Sequence, residues 1–186
     1  LLIVHLDTIE EVQDVLALSF LHNVPVTFRA AGTSLSGQAI TDSVLITLSG
    51  QWRSHIIHQQ GKQITLQPGV VGADANKYLA PYGRKIGPDP ASINSCKIGG
   101  IAANNASGMC CGVANNTVYT VAAMTIVLAD GTVLNTADAQ SVARFQLSHR
   151  DLLDNLSALA RDVQGDSELC ALIAHKYRLK NTTGYA

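Results

Sequence analysis

Arg29-Ala30-Ala31-Gly32-Thr33-Ser34-Leu35-Ser36-Gly37-Gln38 is the stretch on which the reading of this chain turns. Two glycines enclose a run of small and hydroxylated residues, and apolar segments flank it on both sides. Glycine lets the backbone turn so that successive N–H groups converge on an anion, and Thr33, Ser34 and Ser36 add hydroxyl donors. A diphosphate suits such a loop. The interval from Gly32 to Gly37 nearly matches a mononucleotide P-loop, but Gln38 stands where that motif needs lysine, and no helical pattern follows. An ordinary glycine-rich connection between strands is the competing reading.

Upstream of the loop the pattern is strand, helix, strand. Leu1 to Leu6 is a compact apolar run, and Thr8 with Glu11 three residues later forms a capping box. From Ile9 to about Leu21, Val12, Val15, Leu16, Leu18 and Phe20 recur at helical spacing, with Asn23 as the stop. Val24 to Arg29 and Val44 to Leu48 then read as strands on either side of the loop.

Downstream, Ser54 to Gln59 and Lys62 to Gln67 flank Gln60-Gly61 as a hairpin. Asp74 is expected to cap a short helix that ends at Leu79, before Pro81 and Gly83. Thr120 to Leu128 and Thr132 to Asn135 make a second hairpin around Asp130-Gly131. Ser148 to Val163 and Ser167 to Tyr177 read as helices. The expected class is α+β, with a small mixed unit over residues 1–48 and a larger sheet-and-helix unit over 49–186.

A second chemical segment begins at Gly87-Pro88-Asp89-Pro90-Ala91-Ser92 and continues through Cys96-Lys97-Ile98-Gly99-Gly100-Ile101-Ala102-Ala103-Asn104-Asn105-Ala106-Ser107-Gly108. The prolines fix an extended turn, and the following run has so little bulk that a flat ligand or another backbone can approach closely. Asn104 and Asn105 supply amides for a heteroaromatic edge. Tight helix packing on small residues is the alternative.

Together the two segments resemble the FAD-binding domain of the vanillyl-alcohol-oxidase and p-cresol-methylhydroxylase (PCMH) superfamily, in the branch of D-lactate, glycolate and D-2-hydroxyglutarate dehydrogenases. The resemblance is carried by Arg29 to Gln38, by Pro88-Asp89-Pro90-Ala91-Ser92, by Ile98-Gly99-Gly100 with Asn104-Asn105-Ala106-Ser107-Gly108, and by Val127-Leu128-Ala129-Asp130-Gly131 after them. It implies that Ala30, Ala31, Gly32, Thr33, Ser34, Leu35, Gly37 and Gln38 hold the FAD diphosphate. Pro88, Asp89, Pro90, Ser92, Gly99, Gly100, Asn104, Asn105, Ser107 and Gly108 then line the rest of the cofactor. No histidine stands in the first loop and Cys96 is displaced by one residue from the position of another covalent link, so FAD is expected to bind non-covalently.

The same resemblance implies oxidation of a small 2-hydroxy acid in a complete enzyme, with electrons passing to an acceptor other than a nicotinamide. The family's last FAD-contacting strand and its substrate-gripping domain are not found in this sequence, so no catalytic residue is assigned and the chain alone is expected to be inactive. Lys180-Asn181-Thr182-Thr183-Gly184-Tyr185 resembles longer members in which a flavin half is fused to an iron-sulfur half, and the protein is expected to continue past it.

Composition narrows the classes. The 186 residues are 47% apolar and 15% charged with a net charge of -1, which suits a packed globular chain and excludes a nucleic-acid-binding basic face. The longest apolar candidate, Val118 to Ala129, is too short to cross a bilayer, and Leu1 to Leu6 lacks the flanks of a signal peptide. Cys96, Cys110, Cys111 and Cys170 have neither zinc spacing nor disulfide density, which suits reduced thiols in a cytoplasmic protein or one peripheral to the membrane. Cys110-Cys111-Gly112 resembles a cysteine pair of iron-sulfur subunits but lacks the companions of a four-cysteine site. His55 and His58 fall on opposite faces of a strand, and no metal site is expected. A cofactor-free scaffold remains a second functional class, and Arg29 reads equally as a diphosphate partner or as a surface ion pair.

Overall fold

The computed structural model describes residues 1–108 and 114–178. Thr8 and Glu11 start the architecture. The Thr8 hydroxyl accepts from the Glu11 N–H at 3.1 Å while the Glu11 carboxylate accepts from the N–H groups of Thr8 at 3.2 Å and Asp7 at 2.6 Å. That reciprocal cap sets helix α1 (Ile9–Leu21) directly after strand β1 (Leu2–Leu6). Asn23 ends the helical stretch at φ 52°, a left-handed conformation that asparagine tolerates better than most residues.

Strand β2 (Val26–Arg29) returns the chain, the glycine loop follows, and strand β3 (Val44–Leu48) inserts between its predecessors in the parallel order β1-β3-β2. The register pairs Val4 with Ile46 and Phe28 with Ile46 across the two ladders. Ile46 is fully buried on the central strand, where Leu6, Val12, Leu16 and Trp52 surround it. Trp52 closes this core from beyond β3, and its indole N–H is satisfied by the Leu6 carbonyl at 2.9 Å.

Strands β4 (His55–His58) and β5 (Gln63–Leu66) form the expected antiparallel hairpin. His55 stacks on Tyr78 at 3.6 Å between ring centroids, and His58 hydrogen-bonds Thr65 at 2.9 Å. Helix α2 (Gly72–Leu79) starts two residues before Asp74, which corrects the expected cap. Its opening N–H groups are met by distant backbone: Gly72 donates to the Cys96 carbonyl and Ala73 to the Ile93 carbonyl, each at 2.9 Å. The Asp74 carboxylate instead pairs with Lys77 at 2.9 Å.

Helices α3 (Ile98–Ala103) and α4 (Thr117–Thr120) precede the second hairpin, strands β6 (Thr125–Val127) and β7 (Val133–Asn135). This hairpin is shorter than expected. Thr117 and Thr120 turn their hydroxyls back onto the carbonyls of Ile101 and Asn116, at 3.1 and 3.2 Å, and hold a helical turn where a strand was expected to begin. Among the described residues the two hairpins are separate two-stranded ladders.

Helix α5 (Ala139–Ser148) was not expected from the sequence. It is capped by Asp138, whose carboxylate accepts from the Gln140 N–H, and it buries Ser141 and Phe145. Helix α6 (Arg150–Gly165) starts and ends two residues later than expected, and helix α7 (Ser167–Lys176) follows under an Asp166 cap. Among the described residues no helix is long and apolar enough to cross a membrane.

The turn of the second hairpin is held from two sides. Gln13 on α1 donates its side-chain amide to the Gly131 carbonyl at 2.9 Å. On the other side His149, stacked on Phe145, contacts the Asp130 carboxylate at 2.9 Å. Partial burial works against ionised Asp130, but hydrogen bonds from the Thr132 N–H and from His149 outweigh it and hold the carboxyl below its ordinary value of 3.8. A depressed pKa adds stability that is complete above the unfolded value and is lost as pH falls through the lower folded value. Asp130→Asn is therefore expected to lower the thermal midpoint at neutral pH and to converge with the wild type in acid. Parallel curves across that range would show that the contact carries no stability.

Candidate functional site

Arg29 ends β2, and the chain then turns beneath its own guanidinium. At Gly32 φ is 68°, a left-handed conformation that favours glycine, and a Cβ there would lie 2.7 Å from the Arg29 Nε, so any side chain would have to displace the guanidinium. A second turn at Gly37 is closed by the Ile40 N–H to the Gly37 carbonyl at 3.1 Å. From the opposite side α3 brings Gly100 against the loop, where an added Cβ would meet the Ala30 Cβ at 3.2 Å. Between them opens a cavity of about 420 Å³, within the usual range of small-molecule sites.

Ten residues singled out from the sequence line this cavity together: Ala30, Ala31, Gly32, Thr33, Ser34, Gln38, Pro90, Ser92, Gly100 and Asn104. The remaining candidates stand elsewhere. Leu35 is fully exposed at the loop tip, and Gly37 forms the turn behind it. Gly99 packs on Pro68, where a Cβ would come within 2.8 Å. Pro88 is buried, and the Asp89 carboxylate pairs with Lys85 at 3.2 Å. The Asp89 N–H donates to the Ser107 carbonyl at 2.9 Å, and Gly108 forms a parallel bridge with Asp89. Asn105 accepts from the Val118 N–H at 3.0 Å. None of these residues lines the cavity.

Sequence reading missed part of the lining. Val26, Thr27 and Phe28 contribute the β2 edge, and Cys96 and Lys97 lead into α3. Burial pushes the Cys96 thiol up, against a hydrogen bond with Ser92, so it stays a neutral thiol near pH 7. Lys97 was detectable as the one cation in the small-residue segment. Arg29 lies beside the site over Gly32 and has no ion pair among the described residues. That arrangement disfavours the surface-ion-pair reading. Cys110, Cys111, Gly112 and the 180–185 stretch lie outside the described residues, and no group of three or more potential metal ligands occurs among the described ones.

The donor set fits a phosphate-bearing cofactor. A glycine turn, four hydroxyl-bearing residues and a cation line a cavity whose described lining contains no carboxylate. The fold is α+β, and the cavity lies between its first loop and α3.

Residues 1–137 match the family described as FAD binding domain, and the chain belongs to this PCMH-type family. It is 34% identical over 136 residues to glycolate oxidase subunit GlcD of Escherichia coli, covering 72% of this chain and 27% of that protein. It is 28% identical over 155 residues to D-2-hydroxyglutarate dehydrogenase of Haemophilus influenzae, covering 80% of this chain and 14% of that protein. The chain thus spans about a quarter or less of these two relatives. Among solved structures, 6-hydroxy-D-nicotine oxidase of Arthrobacter nicotinovorans superposes with a TM-score of 0.61 at 19% identity, over 72% of this chain and 29% of that one, which shows a shared fold.

Two outcomes test this geometry. Gly108→Ala forces a side chain onto φ 117° and to 2.3 Å from the Asp89 carbonyl oxygen. It is expected to cost at least about 1–3 kcal/mol in urea unfolding; an unchanged midpoint would refute the joint. Cys96→Ser should leave the number of rapidly reacting thiols in the folded protein unchanged, whereas loss of a fast thiol would show an exposed Cys96.

Proposed function

We propose that this chain is the FAD-binding module of a flavin-dependent oxidoreductase that converts a 2-hydroxy acid of the D-lactate or D-2-hydroxyglutarate kind to its 2-oxo acid. The observation that carries the reading is the meeting of the first loop and α3 around one carboxylate-free cavity. Membership in the FAD-binding family and the names of the related glycolate and hydroxyglutarate enzymes support it.

In this reading the backbone N–H groups of Ala31 to Ser34 and the hydroxyls of Thr33 and Ser34 bind the diphosphate, and Arg29 adds charge from above Gly32. Asn104 and Ser92 offer hydrogen bonds farther along the cavity, and Pro90 gives a rigid apolar wall. Binding is non-covalent, because Cys96 is buried and held by Ser92 and the loop contains no histidine. Residues 1–48 form the smaller subdomain and 49–186 the larger one. Bound FAD supplies the two-electron acceptor for the C2 hydride while the substrate hydroxyl loses its proton.

No residue of this chain is assigned to grip the substrate carboxylate. That task and any iron-sulfur centre belong to the rest of a longer protein, in the cytoplasm or peripheral to the membrane, and electrons pass to an acceptor other than a nicotinamide.

Titration of the chain with FAD, followed by flavin fluorescence and absorbance, is expected to saturate and to favour FAD over FMN, with no magnesium-dependent ATP binding. Gly32→Val is expected to abolish FAD binding while the circular-dichroism spectrum stays native. Failure of both this chain and a longer form to bind FAD would sink the proposal in favour of a cofactor-free scaffold.

A further inference from the structure

Lys97 is the single charged residue among the described residues that line the cavity. It is half-buried at the entry to α3, on the wall opposite Ala30 to Ser34, and no carboxylate lies within ion-pair distance of it among the described residues. The chain carries 14 acidic residues against 13 Lys and Arg, so a scarcity of anions does not explain an unpaired lysine here. A half-buried ammonium keeps its charge most favourably when an anion and several acceptors surround it. The neighbouring walls supply N–H groups, hydroxyls and the side-chain amides of Gln38 and Asn104, which can accept from the ammonium but carry no opposing charge. An anionic ligand in the cavity would meet this charge.

We propose that Lys97 is a specificity-determining residue of the site and that its ammonium takes a phosphate oxygen of the ligand's diphosphate, facing the N–H groups of the first loop across the same group. The assignment rests on the FAD reading above and adds to it. It makes the cavity a reader of diphosphate, so the nucleoside-diphosphate half of the cofactor binds in its own right. Arg29 and Lys97 then approach one diphosphate from opposite sides, the first exposed over Gly32 and the second inside the cavity.

The experiment is a titration of the 186-residue chain and of its Lys97→Gln and Lys97→Arg variants with FAD, ADP and riboflavin, each at low and high salt. Wild-type protein is expected to bind FAD and ADP with affinities that fall as salt rises. Lys97→Gln is expected to weaken both by roughly ten- to a hundredfold and to flatten the salt dependence, while Lys97→Arg retains most of the affinity. Riboflavin, which has no phosphate, should bind equally to all three. If Lys97→Gln proves unfolded, the salt dependence of the wild type and the retained affinity of Lys97→Arg carry the test.

Unchanged FAD and ADP affinity in a folded Lys97→Gln variant overturns the assignment and leaves the FAD reading intact. A wild type that binds neither FAD nor ADP overturns the FAD reading and this assignment with it.

Discussion

The structure depends on how closely two backbones come together where side chains are missing. Gly100 places α3 against Ala30 with no room to spare, and Gly99 does the same against Pro68. A methyl group at Gly100 would require Ala30 to give by a few tenths of an ångström, and one at Gly99 would press on the Pro68 ring at 2.8 Å. Everything that lines the cavity is positioned by that approach. The first loop and α3 are separated by 59 residues of chain, yet they form opposite walls of one small space.

The segment between them explains how the approach is held. Gly72 and Ala73 at the start of α2 take their hydrogen-bond acceptors from Cys96 and Ile93, so the residues leading into α3 complete the beginning of another helix. Gly99 donates to the Pro68 carbonyl at 2.9 Å and Ile98 to that of Val70 at 2.9 Å, adding two more ties to the same stretch. A buried N–H without a partner costs about 1–3 kcal/mol. The segment is thus fixed by backbone bonds that any loosening would leave unmet. Asn116 is the exception among the described residues, with a buried side-chain oxygen that has no partner.

The last three helices stand apart from the family match, which ends at residue 137. Helix α5 is bound to the second hairpin through the Ser141 hydroxyl, which accepts from the Asn135 N–H at 3.0 Å, and through the His149 contact to Asp130. Helices α6 and α7 bury no residue fully, and Leu152, Leu156 and Leu159 are exposed along α6. The strongly held part of this region is its junction with the hairpin.

What the sequence determined alone is what neighbours in the chain can enforce. The Thr8 and Glu11 cap, the stop at Asn23, the turn at Gln60-Gly61 and the glycine loop after Arg29 all act within a few residues, and each is legible in the order of the amino acids. The resemblance added the family and the pairing of the two glycine-rich segments. Tertiary structure decided the rest. It set the cap of α2, because its acceptors come from far along the chain, at Ile93 and Cys96. It made α5 a helix through Phe145 and Ser141, whose burial against the hairpin no local pattern announced. It also separated the ten candidates that line the cavity from those that do not, and it placed Lys97 among the former. A charge acquires its meaning from what surrounds it, and those surroundings exist only after distant segments have packed.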